Sequence, residues 1–267
     1  MGAQCPLLEL RGTAPLCRNN CSSLSTESGR KLYEARIHVM CGRYTHLFTW
    51  RELWNLYQLS SLVPDSALKT SYNVAPSQSV PALRHTDGQT EGLLLRWGLV
   101  PFFSKGLPPK YSTINARVET IETAASYRNP WKRGQRCVLP AAGFYEWHVK
   151  ADGTKQPYYI TVADQELFGF AGLWERSDTA DGTTLESATI ITMPANLLMA
   201  EIHNGRARMP AILAREDRDS WLTGSPEQAR ATLRPYPSDC MVAWPVSTQV
   251  NSARNNRAEL IKPRPEP

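Results

Sequence analysis

Cys41 follows Met40 directly, so a chain that starts at Met40 and loses this methionine carries both a free α-amine and a thiol on its first residue. An α-amine has a reference pKa of about 7.7 to 8.0, so part of it is unprotonated at neutral pH and can attack an aldehyde. The thiol can then close on the imine carbon to form a five-membered thiazolidine, a step that intramolecular placement favours strongly. An internal cysteine cannot react in this way. The alternative is a cysteine that only packs in the core.

Glu146 lies between two aromatic residues, Tyr145 and Trp147, in a run that is typical of a strand. On a strand Glu146 shares a face with Phe144 and His148, while the two aromatic side chains point to the opposite face. Partial burial would raise the pKa of this carboxyl group toward the range useful for proton transfer. The alternative is an exposed strand carboxylate.

Asn115 and Arg117 alternate with three apolar residues, Ile114, Ala116 and Val118. On a strand the two polar side chains therefore share one face, and the apolar ones enter the core. Arginine suits phosphate because its planar guanidinium donates two parallel hydrogen bonds. Simple solvent exposure of the polar pair is the alternative.

His203 follows a predicted helix at 195–202 and precedes Arg208 by five residues. A histidine at this position can transfer protons near neutral pH. A hydrogen-bonded or surface histidine without a catalytic role is the alternative.

The elements that must position these residues are mostly strands. Thr49 and Glu52 form a capping box that predicts a helix near 50–59, and Ser225 with Pro226 predicts the start of another. The apolar patterns predict helices at 195–202, 216–222 and 226–233, and strands at 92–100, 138–149, 157–163, 167–175, 187–192 and 241–246. Strands in the middle and helices toward the ends favour an α+β domain around a curved, barrel-like sheet.

Composition excludes several classes of protein. The chain has 267 residues, a net charge of +5 and six cysteines without a CxxC pair, which argues against a secreted disulfide scaffold and a zinc site. No apolar run is long enough for a membrane span, and no signal peptide is apparent, so we expect a cytoplasmic protein. Residues 1–40 lack apolar periodicity and are predicted to be an unstructured extension, either upstream of the true start or removed. Three glutamates weigh against a transit peptide.

The ordered set of motifs resembles the SOS-response-associated peptidase (SRAP) family of abasic-site processing proteins. The resemblance covers nearly everything after residue 40 and rests on Cys41-Gly42-Arg43-Tyr44, Tyr72-Asn73-Val74-Ala75-Pro76, Arg96-Trp97-Gly98-Leu99-Val100-Pro101, Ile114 to Glu119, Gly143 to Trp147, His203 with Arg208-Met209-Pro210, Pro245-Val246-Ser247 and Ala258-Glu259-Leu260-Ile261. It implies a single SRAP-type domain at 41–263 with a DNA-binding groove, followed by a short tail at 264–267.

The resemblance also implies a function and its residues. Cys41 would form a thiazolidine with the ring-opened aldehyde of an abasic site in single-stranded DNA. His203 would assist opening of the sugar ring, Glu146 would position or deprotonate the α-amine, and Asn115 would orient the reacting groups. DNA contacts would come from Arg43, Asn73, Arg117, Trp147 and Arg208. No cofactor or metal is expected, and the partners would be abasic single-stranded DNA and, as a further candidate, the replication machinery. We expect a monomer that does not bind membranes, associated with the nucleoid during DNA damage.

Two features depart from the family pattern. The 40-residue extension places the Cys41 nitrogen in a peptide bond, and Gly205-Arg206-Ala207 lengthens the segment between His203 and Arg208, which a loop should tolerate. Two other functions stay open at this point. One is a cysteine peptidase with Cys41 as nucleophile and His203 as base, and the other is noncovalent binding of single-stranded DNA through tryptophan and arginine.

Overall fold

A computed structural model describes residues 42–60 and 68–264, and the secondary structure below refers to these ranges. The strands are β1 Arg43–His46, β2 Ser71–Val74, β3 Ser79–Thr86, β4 Gln89–Trp97, β5 Asn115–Arg117, β6 Arg136–Ala141, β7 Gly143–Val149, β8 Lys155–Val162, β9 Phe168–Asp178, β10 Thr184–Pro194, β11 Arg208–Pro210, β12 Ile212–Leu213 and β13 Met241–Pro245. The α-helices are α1 Trp50–Tyr57, α2 Arg128–Lys132, α3 Leu197–Ile202, α4 Arg218–Thr223 and α5 Pro226–Thr232. Short 3₁₀ turns lie at Phe102–Ser104, Arg215–Asp217, Ser238–Cys240, Thr248–Asn251 and Ala258–Ile261.

Five strands close into a ring in the order β10, β4, β3, β6 and β9, because β9 pairs back onto β10. Strands β10 and β4 run parallel, and the other pairs of the ring are antiparallel. Closure leaves no free edge within the ring, and its interior is filled by large apolar side chains. The predicted α+β fold with a barrel-like sheet is therefore confirmed.

A second sheet has the strand order β13, β8, β7, β1 and β2. Successive side chains along its strands point to opposite faces of the sheet, as the two-residue period of a strand requires. Tyr44 and Phe144 belong to the main core, whereas Tyr145 and Tyr159 belong to a smaller cluster on the opposite face. Residues from the C-terminal segment, among them Val250, cover that smaller cluster.

The chain changes sheets between β6 and β7, so the single strand predicted at 138–149 is wrong. At the junction the N–H of Ala142 donates to the carbonyl oxygen of Thr45 at 2.9 Å, and the chain passes from the barrel into the second sheet. Gly143 begins β7 where a Cβ atom would lie 2.3 Å from the ring of Tyr159. The apolar run continues across this break, which hides it in the sequence.

The capped helices follow the sequence closely. In α1 the hydroxyl of Thr49 accepts from the N–H of Glu52, whose carboxylate accepts in return from the N–H of Thr49. Helix α3 begins at residue 197 rather than 195, because the side chain of Asn196 caps the helix by accepting from the N–H of Met199. The helix predicted at 216–222 is a 3₁₀ turn followed by α4, while α5 begins as predicted behind Ser225.

Strand β3 was not predicted, although its connection to β4 carries a strong signal. Asp87 and Gly88 both have positive φ, at 52° and 76°, and the flanking Thr86 and Gln89 pair directly. Aspartate and glycine are the residues that a two-residue hairpin of this hand favours. Among the described residues, no helix has the length and apolar character needed to cross a bilayer.

Candidate active site

Three predicted catalytic residues lie on three different elements. Asn115 begins β5, Glu146 lies in β7, and His203 directly follows α3. Cys41, the fourth, lies outside the described residues.

The face of β7 that carries Glu146 is the face predicted from the sequence. Phe144 and Glu146 are buried on one side, and Glu146 is only 2% exposed. Tyr145 and Trp147 point the other way, into the smaller cluster. Because a carboxylate in such a site is largely withdrawn from water, its charge acts strongly on any amine brought beside it.

Backbone register brings the start of β1 to Glu146. Strands β1 and β7 are antiparallel, with Arg43 opposite Tyr145 and Tyr44 opposite Phe144. Glu146 directly follows Tyr145, and Gly42 directly precedes Arg43, so the register brings the segment before β1 toward Glu146. Gly42 is bonded to Cys41.

His203 is held at the end of α3 by two hydrogen bonds. Its N–H donates to the carbonyl oxygen of Met199 at 2.8 Å, and its ring Nδ1 lies 3.1 Å from the carbonyl oxygen of Arg208. A carbonyl can only accept, so this contact assigns the proton of the neutral ring to Nδ1. The basic lone pair is then on Nε2. Only 9% of His203 is exposed.

The residues flanking His203 are tied to the end of β7. The side-chain amide nitrogen of Asn204 donates to the carbonyl oxygen of Val149 at 2.9 Å. The side-chain oxygen of Asn204 accepts from the backbone N–H of Val149 at 3.0 Å. His148 Nδ1 lies 2.9 Å from the carbonyl oxygen of Glu201. These contacts bring His203 to the strand that carries the buried glutamate.

The longer loop after His203 folds back on that histidine. The N–H of Ala207 donates to the carbonyl oxygen of His203 at 2.8 Å, and Ala207 adopts a left-handed conformation with φ of 47°. Its own carbonyl oxygen accepts from the N–H of Ala195 at 2.9 Å. The three-residue segment Gly205-Arg206-Ala207 is thus taken up in a closed turn, and His203 keeps its place at the helix end.

Asn115 is positioned by pairing of β5 with β10. Asn115 lies opposite Ile190, and Arg117 lies opposite Thr192. The hydroxyl of Tyr127 donates to the backbone carbonyl oxygen of Asn115 at 3.1 Å. Asn115 is half-buried and Arg117 is exposed, whereas their apolar neighbours are buried as predicted: Ile114, Ala116 and Val118.

Arg208, predicted to contact DNA, is engaged in a forked ion pair. Its two terminal nitrogens lie 2.6 and 2.9 Å from the two carboxylate oxygens of Glu119, and one of them also donates to the carbonyl oxygen of Thr192. The hydrogen bond from Arg208 lowers the pKa of Glu119. A phosphate contact through this fork would have to displace Glu119. The side chain of Arg117, by contrast, is exposed, and its charge contributes to the lowered pKa of Glu119.

Three other predicted DNA contacts hold the C-terminal segment instead. Arg43 donates to the side-chain oxygen of Asn73 at 2.9 Å and to the carbonyl oxygens of Val250 and Asn251 at 2.8 and 3.1 Å. The indole N–H of Trp147 donates to the side-chain oxygen of Asn251 at 2.8 Å. Burial lowers the pKa of the Arg43 guanidinium. These side chains therefore have a structural role that the sequence did not predict.

Asn73 is the most buried of these three residues. It is 1% exposed, and its amide nitrogen lies within 3.2 Å of the carbonyl oxygens of Val250, Ser252 and Asn255. A side chain buried in this way anchors the C-terminal segment and offers no surface to DNA.

An exposed apolar loop before β5 was missed in the sequence. Phe102, Phe103, Leu107 and Tyr111 are all more than two-fifths exposed. The two phenylalanine rings meet edge to face with centroids 5.4 Å apart. The signal was available as a pair of aromatic residues in a segment rich in proline and lysine, 101–111.

Comparison with known proteins decides the family. The model of the family described as SOS response associated peptidase (SRAP) matches residues 40–253. The chain belongs to the SRAP family. The similarity to curated relatives extends over most of the chain. This chain is 40% identical over 227 residues to Abasic site processing protein YoqW of Bacillus subtilis, and the match covers 84% of this chain and 99% of that protein. It is 34% identical over 229 residues to Abasic site processing protein HMCES of Gallus gallus, covering 73% and 66%.

Solved structures show the same SRAP fold. A crystal structure of a protein from Bacteroides thetaiotaomicron superposes with a TM-score of 0.75 at 28% identity, covering 84% of this chain and all of the other. A protein from Bordetella bronchiseptica gives a TM-score of 0.65 at 30% identity, covering 78% and 100%. In the part of this SRAP chain that the structure describes, no group of three histidine, cysteine or acidic side chains is placed to hold a metal ion.

Proposed function

We propose that this protein, once Cys41 is its first residue, captures abasic sites in single-stranded DNA as a covalent thiazolidine. The observation that carries the proposal is the buried carboxyl group of Glu146, which directly follows Tyr145, the residue that pairs with Arg43 at the start of β1, two positions after Cys41. The curated relatives named as abasic site processing proteins support the choice of substrate.

Sugar opening is the first step. An abasic deoxyribose is a cyclic hemiacetal, so the proton of its C1′ hydroxyl must leave as the bond between C1′ and the ring oxygen breaks and that oxygen gains a proton. With its proton on Nδ1, a neutral His203 carries its basic lone pair on Nε2, which takes the hydroxyl proton. The product is an aldehyde at C1′.

Capture by the aminothiol follows. Glu146 takes a proton from the α-ammonium of Cys41, and the amine adds to the aldehyde. The resulting carbinolamine loses water to give an imine, and the proton held by Glu146 passes to solvent, which restores the carboxylate. The thiol then adds across the imine, so that sulfur bonds to C1′ and the thiol proton ends on nitrogen. The sum is one aldehyde and one aminothiol converted to thiazolidine and water, with no oxidant or reductant. Asn115, at the half-buried start of β5, orients the reacting groups.

Exposed side chains in and before β5 are suited to hold the DNA strand noncovalently. Arg117 offers a guanidinium for phosphate, and the aromatic side chains Phe102, Phe103 and Tyr111 offer surfaces on which bases can stack. Arg208 would contribute only after release of Glu119.

We propose that the functional domain comprises residues 41–263. Residues 1–40 have to be absent from the working protein, either because translation starts at Met40 or because they are cleaved. N-terminal sequencing of protein taken from its own cell tests this requirement, and mature protein that begins at Met1 contradicts it.

The decisive experiment compares protein that begins at Cys41 with its Cys41→Ala variant on a single-stranded oligonucleotide that contains one abasic site. We expect an adduct that survives boiling in detergent with the former and none with the latter. Cys240→Ala, which removes a half-buried cysteine elsewhere, is the matched control and should form the adduct normally. Equal adduct formation by Cys41→Ala would refute the mechanism.

Acetylation of the α-amine separates the remaining alternatives. It should abolish the adduct if the aminothiol reacts, whereas a peptidase that uses only the thiol would remain active on peptides. A protein that binds single strands only noncovalently would give no adduct in any of these forms and would bind lesion-free and abasic strands equally.

A further inference from the structure

A pocket of about 310 Å³ lies between α1 and α4, built on elements other than those that carry Asn115, Glu146 and His203. Tyr57, Thr90, Arg215, Arg218 and Leu222 are among the residues that line it. Its volume is at the lower end of the range for small-molecule sites.

Arg218 is the unusual residue of this pocket. Arg218 is only 6% exposed, yet its Nε and Nη2 atoms have no hydrogen-bond acceptor within the described ranges. Its contact is with an aromatic ring: the guanidinium carbon lies 4.5 Å from the ring centroid of Tyr57. The neighbouring carboxylate of Asp217 is paired with Arg234 at 2.7 Å, and Asp219 lines the pocket without forming an ion pair with Arg218.

Two more donors accompany Arg218. The hydroxyl of Tyr57 is buried and likewise has no partner in the described chain. Burial raises the pKa of Tyr57, while the charges of Arg218 and Arg215 lower it, so both guanidinium groups act on this phenol. A buried cation and a buried hydroxyl without acceptors are costly to a fold. An oxyanion entering the pocket would supply the missing acceptors.

We propose that this pocket is a second ligand site that binds a phosphate group through Arg218, Arg215 and the Tyr57 hydroxyl. The guanidinium fork and its charge match a phosphate, and the pocket is large enough to admit that group. The phosphate belongs either to a small ligand or to a DNA strand, because the contacts are the same for both. The site does not rest on the proposed capture of abasic sites, and each can fail without the other.

Thermal unfolding of the full chain in inorganic phosphate, with ionic strength held constant by sodium chloride, tests the site. The wild type should gain about 3 to 6 °C at a phosphate concentration roughly ten times the dissociation constant. The variant Arg218→Met should show no gain, and Tyr57→Phe a smaller one. Arg128→Met, which removes an exposed arginine outside the pocket, is the matched control and should respond as the wild type does.

The Arg218→Met variant is expected to fold. Methionine has a similar size, and replacing a buried charge that has no ion-pair partner in the described chain with an apolar side chain is neutral or stabilising. Without phosphate its melting temperature should equal or exceed that of the wild type. An equal response to phosphate in Arg218→Met, or no response in the wild type, overturns the proposal.

Binding of a lesion-free single-stranded oligonucleotide then identifies the source of the phosphate. If DNA supplies it, Arg218→Met should lower the affinity and reduce the salt dependence by about one phosphate contact, while Arg128→Met should not. If affinity is unchanged while the phosphate response is lost, the ligand is a small phosphorylated molecule.

Discussion

Nδ1 of His203 lies 3.1 Å from the carbonyl oxygen of Arg208, and this contact makes Nε2 the basic atom of the neutral ring. The asparagine variant His203→Asn keeps a donor near the position of Nδ1 and lacks the titratable nitrogen. We expect it to retain stability but to form the adduct about 10²-fold more slowly or worse, with the remaining pH dependence coming from the Cys41 α-amine. Single-turnover adduct formation measured across pH checks this. An unchanged rate would remove His203 from proton transfer.

Glu146→Gln should separate chemistry from stability. The amide has the same shape and cannot accept a proton from the α-ammonium, so adduct formation should fall by about 10²-fold. A fall in adduct rate without a matching fall in melting temperature assigns the effect to chemistry. Melting temperature and adduct rate are measured on the same protein.

A second buried carboxyl provides the control for that experiment. Glu175 is 1% exposed in β9, and burial raises its pKa. Glu175→Gln should leave the adduct rate unchanged. If both variants lose activity equally, general effects of removing a buried charge, rather than the position of Glu146, explain the loss.

Local patterns were sufficient to predict the buried faces of β5 and β7 but not which atoms several polar side chains contact. A two-residue period assigned the buried side of β7 and β5, and a capping box placed α1, because each signal lies within a few residues. Arg43, in contrast, donates to a backbone carbonyl oxygen 207 positions away. A carbonyl acceptor leaves no trace in residue type, so the sequence could not distinguish a residue that anchors the C-terminal segment from one that contacts phosphate.

His46 makes stability depend on pH. Burial lowers its pKa from 6.5 to about 4, so the folded state holds this ring neutral where the unfolded state is protonated. Stability that is fully present above pH 6.5 is therefore lost as the pH falls toward 4. At pH 4.5 the loss should be about 2 to 3 kcal/mol relative to pH 7.

Urea unfolding of the wild type and His46→Leu at both pH values measures that contribution. The variant should lose less stability than the wild type by about this amount, since leucine does not titrate. If the two proteins lose the same stability, other groups account for acid sensitivity.

Asn73→Ala should loosen the C-terminal segment. The variant removes the donors from three carbonyl oxygens, of which that of Val250 still accepts from Arg43, so we expect a cost of about 2 kcal/mol and a fall in melting temperature of about 4 to 8 °C. Amide hydrogen exchange should rise at residues 250–255. Asn55→Ala, at an exposed position of α1, is the matched control and should leave both quantities unchanged. If Asn73→Ala instead retains its stability and weakens the noncovalent binding of single-stranded DNA, the side chain is a DNA contact after all.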